Sequence, residues 1–203
     1  MTITQSQVLE PRSSLTSALS LLTRPSGLPS QLETGRCDHP ASHYAPPALS
    51  PLALLEVAKQ FAAKVPAREM PDEVVLTERT YELVALDEEF EVWVIHWPTG
   101  GHLELHDHGG SAGAFWVLRG ALEERYVDRG REFDVLGERR HVASTGIGFG
   151  SHYVHDVRNG GGEVATSVHA YSPPLHSMTY YRTDQHELAA DRTEFRSDAT
   201  WEL

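Results

Sequence analysis

The sequence predicts a mainly β fold, a small antiparallel barrel or sandwich with helices in front of it. Three observations carry that prediction. Residues suited to half-buried strands recur at a spacing of two: Tyr81, Leu83 and Ala85; Phe90, Val92, Val94 and His96; Phe115, Val117 and Arg119; Val164, Thr166, Val168 and Ala170. Side chains alternate across a strand, so this period marks β structure with one face turned inward. Turn-forming clusters separate the runs: Asp87-Glu88-Glu89, Thr99-Gly100-Gly101, Gly109-Gly110, Asp128-Arg129-Gly130 and Asn159-Gly160-Gly161-Gly162. Many short strands with such punctuation read as an antiparallel all-β domain. Finally, 203 residues suffice for one sizeable core, and no internal repeat of solenoid length recurs.

The segments ahead of the strands read differently. Residues 1–49 are rich in Ser, Pro, Leu and Thr, and Pro11, Pro25, Pro29, Pro40, Pro46 and Pro47 interrupt regular structure. This stretch reads as an extension, with a short helix near Ser14 to Leu22. Ser50-Pro51 opens a second helix, with serine as the cap and proline at the first helical position. Leu52, Leu55, Ala58, Phe61, Ala62 and Val65 then follow at helical spacing, and Pro66 ends the run. The domain therefore spans residues 50–183. The polar tail, 184–203, is assigned no element.

Composition narrows the function. Against 17 basic residues stand 29 acidic ones, a formal net charge of -12. A cationic footprint for nucleic acid is missing, and an anionic membrane surface repels such a chain. The single cysteine, Cys37, excludes an intramolecular disulfide and suits a reducing compartment. The apolar-leaning run from Leu15 to Leu22 is too short to span a bilayer and lacks the basic flank of a secretory signal. A cytoplasmic protein with neither a nucleic-acid nor a membrane partner is expected. Oligomeric state is not legible.

The chemistry lies in Leu105-His106-Asp107-His108-Gly109-Gly110, in His155, and in Ser167-Val168-His169-Ala170-Tyr171-Ser172-Pro173-Pro174. Histidines one residue apart in a strand share a face. A third from another strand completes three neutral nitrogen donors around one divalent metal. Three protein ligands leave open coordination positions, the mark of a catalytic rather than a structural metal. Ser167, His169 and Tyr171 alternate along one strand and also share a face. His102, His141, His152 and His176 are scattered and read as surface or supporting residues, and the facing of His96 is unresolved.

The paired histidines before a glycine turn, Gly120 at a further turn, and His155 followed by Asn159 resemble the two-motif pattern of cupins, small jelly-roll-like β-barrels that hold a metal inside. Within that fold, the resemblance is to the cysteine dioxygenase family of bacterial type. It is carried by Trp97-Pro98-Thr99-Gly100, the His106–His108 block with Ser111-Ala112-Gly113, Val117-Leu118-Arg119-Gly120, His155-Asp156-Val157-Arg158-Asn159, and the Ser-x-His-x-Tyr-Ser-Pro-Pro block from Ser167. The match runs from about Leu52 to Thr183.

The resemblance implies an Fe(II) centre bound by His106, His108 and His155, and oxidation of L-cysteine with O2 to cysteine sulfinic acid. Most cupins place a fourth ligand, glutamate, where this chain has Gly113. Losing a carboxylate leaves a more positive metal, suited to an anionic thiolate. Animal members of the family carry at that position a cysteine joined to the active-site tyrosine; Gly113 implies no such crosslink. The resemblance further implies a Ser167–His169–Tyr171 relay aimed at substrate, Arg79 as the grip on the substrate carboxylate, and Trp97 and Met178 beside the pocket. A guanidinium matches a carboxylate bidentately. Arginine at this position favours cysteine; a relative acting on 3-mercaptopropionate has glutamine there. His152 and Gly150 depart from the usual pattern ahead of the third ligand. Three alternatives stay open: a dioxygenase for 3-mercaptopropionate or another small thiol, a non-catalytic metal-binding cupin, and a cupin isomerase or hydrolase using Zn or Mn.

Overall fold

The computed structural model describes residues 49–66, 76–128, 135–184 and 187–196. Helix α1 (Pro51–Ala62) precedes β1 (Thr80–Leu86), β2 (Glu91–Trp97), β3 (His102–His106), β4 (Ala112–Arg119), β5 (Ala121–Asp128), β6 (Val135–Val142), β7 (Gly146–Phe149), β8 (His155–Arg158), β9 (Ala165–Ser172), β10 (Ser177–Asp184) and β11 (Glu187–Phe195). The mainly β class is the one expected. The strands form two antiparallel sheets rather than a closed ring, in the orders β1-β2-β9-β4-β7 and β11-β10-β3-β8-β5-β6. Trp97 and Phe115 of the first sheet and Leu122 and Val157 of the second share one buried cluster, so the sheets pack face to face. The helix expected near Ser14 to Leu22, and Cys37, lie outside the described residues.

Helix α1 begins as its sequence dictates. The Ser50 hydroxyl accepts a hydrogen bond from the Ala53 amide at 3.3 Å, and Pro51 occupies the first turn, where no amide proton is needed. Its buried face differs from the expected stripe. Leu54, Val57, Ala58, Phe61 and Ala62 point inward, whereas Leu52 is 79 % exposed. Leu52 fits the helical period, but the position of the sheet selects a face rotated away from it. Burying side chains such as Leu54 and Phe61 contributes roughly 1.5–3 kcal/mol each.

The inward face of α1 rests on Val92, Val94, Ala112, Ala114, Val168 and Ala170. The first sheet is thus covered by α1 on one side and by the second sheet on the other, and all eight residues of β9 are buried. Val168 and Ala170 serve the helix side; Ser167, His169 and Tyr171 face the opposite sheet. Strand β11 falls within the polar segment to which the sequence assigned no element. It pairs with β10 along its length, and its charges hide the strand signal: Arg192 bridges Glu104 and Glu194, and Asp191 pairs with Arg182. Such charges protect an edge strand from pairing with other chains.

Candidate metal centre and adjoining pocket

His106 and His155 stand directly opposite each other on β3 and β8. His108 lies two residues past His106, beyond the end of β3, where strand alternation alone would not place it. A clamp does so instead. The Asp107 carboxylate accepts hydrogen bonds from the amides of Gly109 and Thr179, both at 3.0 Å, and from the Tyr181 hydroxyl at 2.7 Å. Gly109 is required in that turn: its φ is +56°, and a Cβ there would sit 2.4 Å from the Ser177 hydroxyl oxygen. The three rings converge with centroids 4.8–5.1 Å apart. One ring nitrogen of each lies within 4.8 Å of the others, and all three residues are buried.

Hydrogen bonds set which nitrogen is available. Nδ1 of His106 lies 2.7 Å from the Glu104 carbonyl oxygen, and Nδ1 of His155 lies 2.7 Å from Glu124 Oε1. A carbonyl or carboxylate oxygen only accepts, so both Nδ1 atoms carry the proton and both Nε2 lone pairs are free. His108 is fully buried; its ring nitrogens make no hydrogen bond of good geometry among the described residues, and the Tyr153 backbone is the polar group beside one of them. Burial, reinforced by neighbouring imidazoles, pushes His106 and His108 well below the ordinary histidine range. Three neutral imidazoles with converging lone pairs fit a divalent transition metal, one nitrogen from each ring.

Glu124 anchors this side. It also accepts from Nε2 of His141 at 2.8 Å and from the Tyr153 hydroxyl at 2.9 Å. Burial pushes its carboxyl up, but hydrogen bonds from His141, His155 and Tyr153 outweigh that and hold it far below the usual carboxylate range. It therefore stays anionic behind the centre.

On the facing sheet, Ser167, His169 and Tyr171 are joined as the alternation predicts. Ser167 Oγ lies 2.8 Å from His169 Nε2, and His169 Nδ1 lies 3.2 Å from the Tyr171 hydroxyl. The indole N–H of Trp97, which only donates, reaches Ser167 Oγ at 2.9 Å. Among the described residues His169 Nε2 is the serine's remaining partner, so the arrangement that leaves no proton unpaired sends the serine proton there and the Nδ1 proton to the tyrosine oxygen. The Tyr171 proton is not consumed by the relay and remains free to point into the site. Burial lowers His169 to about 3, so it stays neutral; burial raises Tyr171, so its proton is retained.

Beside the centre lies a cavity of about 60 Å³, room for a few water molecules or one small molecule. Arg79, Trp93, Tyr171, Leu175, Met178 and Tyr180 are among its walls. Tyr171 stacks on His108 at 5.2 Å and Tyr180 lies 6.1 Å from His106, so two of the cavity's walls pack against the centre. Nη1 of Arg79 is buried with no hydrogen-bond partner among the described residues. Burial lowers the arginine somewhat, opposed by the surrounding tyrosines, and its guanidinium lies 5.5 Å from the centroid of the Trp97 ring. A buried guanidinium nitrogen without an acceptor is a site for an anion.

Of the residues singled out in the sequence, His106, His108 and His155 converge, Arg79, Tyr171 and Met178 line the cavity, and Ser167, His169 and Trp97 stand behind Tyr171 and Arg79. Sequence reasoning missed Glu124, Asp107, Tyr153 and Phe149. Glu124 had a signal, since it alternates with Leu122 and Tyr126 and so stands on the inward face of β5. Asp107 and Phe149 had none. Of the other histidines, His141 supports Glu124, and His96 is half-buried against the Thr166 hydroxyl at 3.0 Å.

The model of the cysteine dioxygenase type I family matches residues 64–184, more than half of the chain and all of this site. The chain belongs to that family. Metal-dependent, thiol-dioxygenase-like chemistry comes with membership. Among solved structures, TT1209 from Thermus thermophilus is 15 % identical, with 54 % of this chain and 96 % of that one covered at a TM-score of 0.45. KdgF from Halomonas sp. is 16 % identical, with 53 % and 90 % covered at 0.42. An oxalate oxidase in complex with the substrate analogue glycolate is 15 % identical, with 53 % and 57 % covered at 0.43. Among the described residues, no helix is long and apolar enough to cross a membrane.

Proposed function

We propose that this protein oxidises L-cysteine with dioxygen to cysteine sulfinic acid at an Fe(II) centre held by His106, His108 and His155. The observation that carries the reading is the buried Arg79 Nη1, unpartnered among the described residues, in a cavity whose walls Tyr171 and Tyr180 pack against His108 and His106. An anionic group at Arg79 brings a short thiol toward the centre. Iron, when bound, supplies the redox site at which a thiolate and dioxygen combine. Both oxygen atoms end on sulfur, so the thiol gives four electrons to O2 and no outside reductant is needed.

The chain's own residues do the rest. Arg79 donates two hydrogen bonds to the substrate carboxylate and Trp97 holds the guanidinium from its face. Met178, Leu175 and Trp93 exclude water around the bound thiol. Tyr171 donates its free proton toward the oxygen that gains negative charge, and the Ser167–His169 pair keeps that proton directed there. Position 113 carries no thiol, so the tyrosine acts without a crosslink. The lone Cys37 suits a reducing, cytoplasmic setting.

One observation favours a second reading. Among the described residues that line the cavity, none is acidic, so nothing there demands an ammonium group, and 3-mercaptopropionate satisfies Arg79 equally. Oxygen uptake by the Fe(II)-reconstituted protein, with L-cysteine and 3-mercaptopropionate in parallel and products weighed by mass spectrometry, decides between them. A cysteine product heavier by two oxygen atoms, with weak uptake on the other thiol, is expected. Preference for 3-mercaptopropionate overturns the substrate. No uptake with either, at full iron loading, leaves a non-catalytic metal-binding protein.

A further inference from the structure

Gly113 on β4 stands in register with Phe149 of β7 on one side and Tyr171 of β9 on the other. Residues directly opposite across neighbouring strands point to the same face, so the three form a row aimed at the metal centre with no side chain in the middle. The space above Gly113 is not empty. A Cβ built there would lie 2.4 and 2.5 Å from two ring carbons of Phe149 and 2.9 Å from Cδ1 of Tyr171. The φ of Gly113 is not in the left-handed region, so backbone conformation does not demand glycine. The packing does.

Phe149 is 4 % exposed. Its ring leans over Gly113 to a centroid distance of 6.5 Å from Tyr171, and it lies 4.8 Å from His108 and 5.2 Å from His155. Tyr153 stacks behind it at 4.9 Å, with an interplanar angle of 18°. One row along the sheet, the same job is done without a gap: Phe115 of β4 faces His169 in register and stacks on it at 5.3 Å and 22°.

We propose that Phe149 is a positioning residue that braces the Tyr171 ring through the gap left by Gly113. The same ring fills the place from which a side chain at position 113 would reach toward the centre, so β7 excludes a fourth protein ligand there. Phe115 braces the relay histidine and Phe149 braces the relay tyrosine. The catalytic importance of Tyr171 rests on the function proposed above; the brace itself is a matter of packing.

The test uses the full-length protein. Phe149→Ala lowers kcat at least tenfold while KM for the thiol and iron content stay within twofold, and Phe149→Leu, which refills the gap, recovers most of the loss. Gly113→Ala alone lowers Tm and activity, and combining it with Phe149→Ala costs less in Tm than the two losses summed, because the clash with the ring is gone, while kcat stays low. A second readout needs no turnover. In zinc-loaded protein with ring-13C tyrosine, the Tyr171 signal, assigned by its absence in Tyr171→Phe, reports a ring-flip rate that rises at least tenfold in Phe149→Ala. Unchanged kcat with an unchanged flip rate overturns the brace. So does loss of iron from Phe149→Ala with the Tyr171 signal unmoved, because the ring would then serve only the histidines. A Tyr171→Phe protein that turns over normally defeats the functional reading instead, and the flip rate still decides the brace.

Discussion

The two sheets that face each other across the site hold their functional side chains by different physics. The six-stranded sheet carries His106 and His155 and holds them with oxygens that only accept: a backbone carbonyl, and the anionic Glu124 behind His155. The five-stranded sheet carries Ser167, His169 and Tyr171 and holds them with a neutral donor, Trp97, and with aromatic rings. The difference follows from what each must present. A ligand must offer a lone pair, which a charge-assisted hydrogen bond at the far nitrogen secures and makes more basic. A relay must keep its protons pointing one way, and a nearby negative charge would draw them back. The carboxylate that grips a histidine is on the ligand sheet; the buried Glu91 opposite Tyr171 on the other sheet is taken up by the Leu175 amide and Arg196.

The sharpest break in that contrast is His155→Ala. It should abolish iron binding and reduce turnover to background, an effect beyond the roughly 10–100-fold expected for losing a mere partner of a ligand. Iron stoichiometry after desalting checks it. Glu124→Ala comes next, leaving the three donors of His155, His141 and Tyr153 without an acceptor. Metal affinity should fall about 10–100-fold, and Glu124→Gln, which restores one acceptor oxygen, should fall less. A competition titration with a chelator measures both; unchanged affinity in Glu124→Ala would show that the carboxylate does not orient His155.

Trp97→Phe tests the other sheet. It removes the donor that directs the serine proton while keeping an aromatic ring under Arg79. Turnover should fall roughly threefold to tenfold, the worth of one hydrogen bond, at unchanged iron content. Loss of iron in this variant would break the division between the sheets.

The smallest effect is one of pH. Burial lowers His169 to about 3 and His96 to about 4, from an ordinary 6.5. Below pH 6.5 the unfolded chain takes up protons that the folded chain refuses, so stability is full above that value and falls as pH drops toward the folded values. By pH 5.5 the loss should be about 1 kcal/mol for a fully buried histidine, and less for the half-buried His96. Glu124 acts in a lower window: its folded value is depressed, so its contribution is present above the ordinary 4.5 and is lost only as pH falls further. Urea unfolding of metal-free protein between pH 7 and 5.5 therefore isolates the histidines. A flat profile there would mean that the buried histidines as a group, His106, His108 and His169, are charged in the folded state.

Much of this was legible from spacing. The period of two placed Ser167, His169 and Tyr171 on one face, and Ser50-Pro51 marked the start of α1, because both signals are carried by neighbours in the chain. Three features were not. The helical period allowed Leu52 to face inward, yet the sheet beneath α1 buries Leu54 and Val57 instead. The charges of β11 concealed a strand whose pairing is decided by β10. His108 lies beyond the strand that carries His106, and converges with it only because Asp107 is clamped by Thr179 and Tyr181 from β10.

By itself the sequence determined the donor chemistry, the strand period and the absence of a side chain at Gly113, since composition and local spacing are properties of the covalent chain. Only the tertiary structure decided which imidazole nitrogens are free, that an Arg79 nitrogen is buried without an acceptor among the described residues, and that Phe149 fills the gap at Gly113. Those outcomes depend on register between strands far apart in the chain, as Gly113 with Tyr171 and Glu124 with Val157. A slip of one residue in either pairing would turn the same side chains to the opposite face.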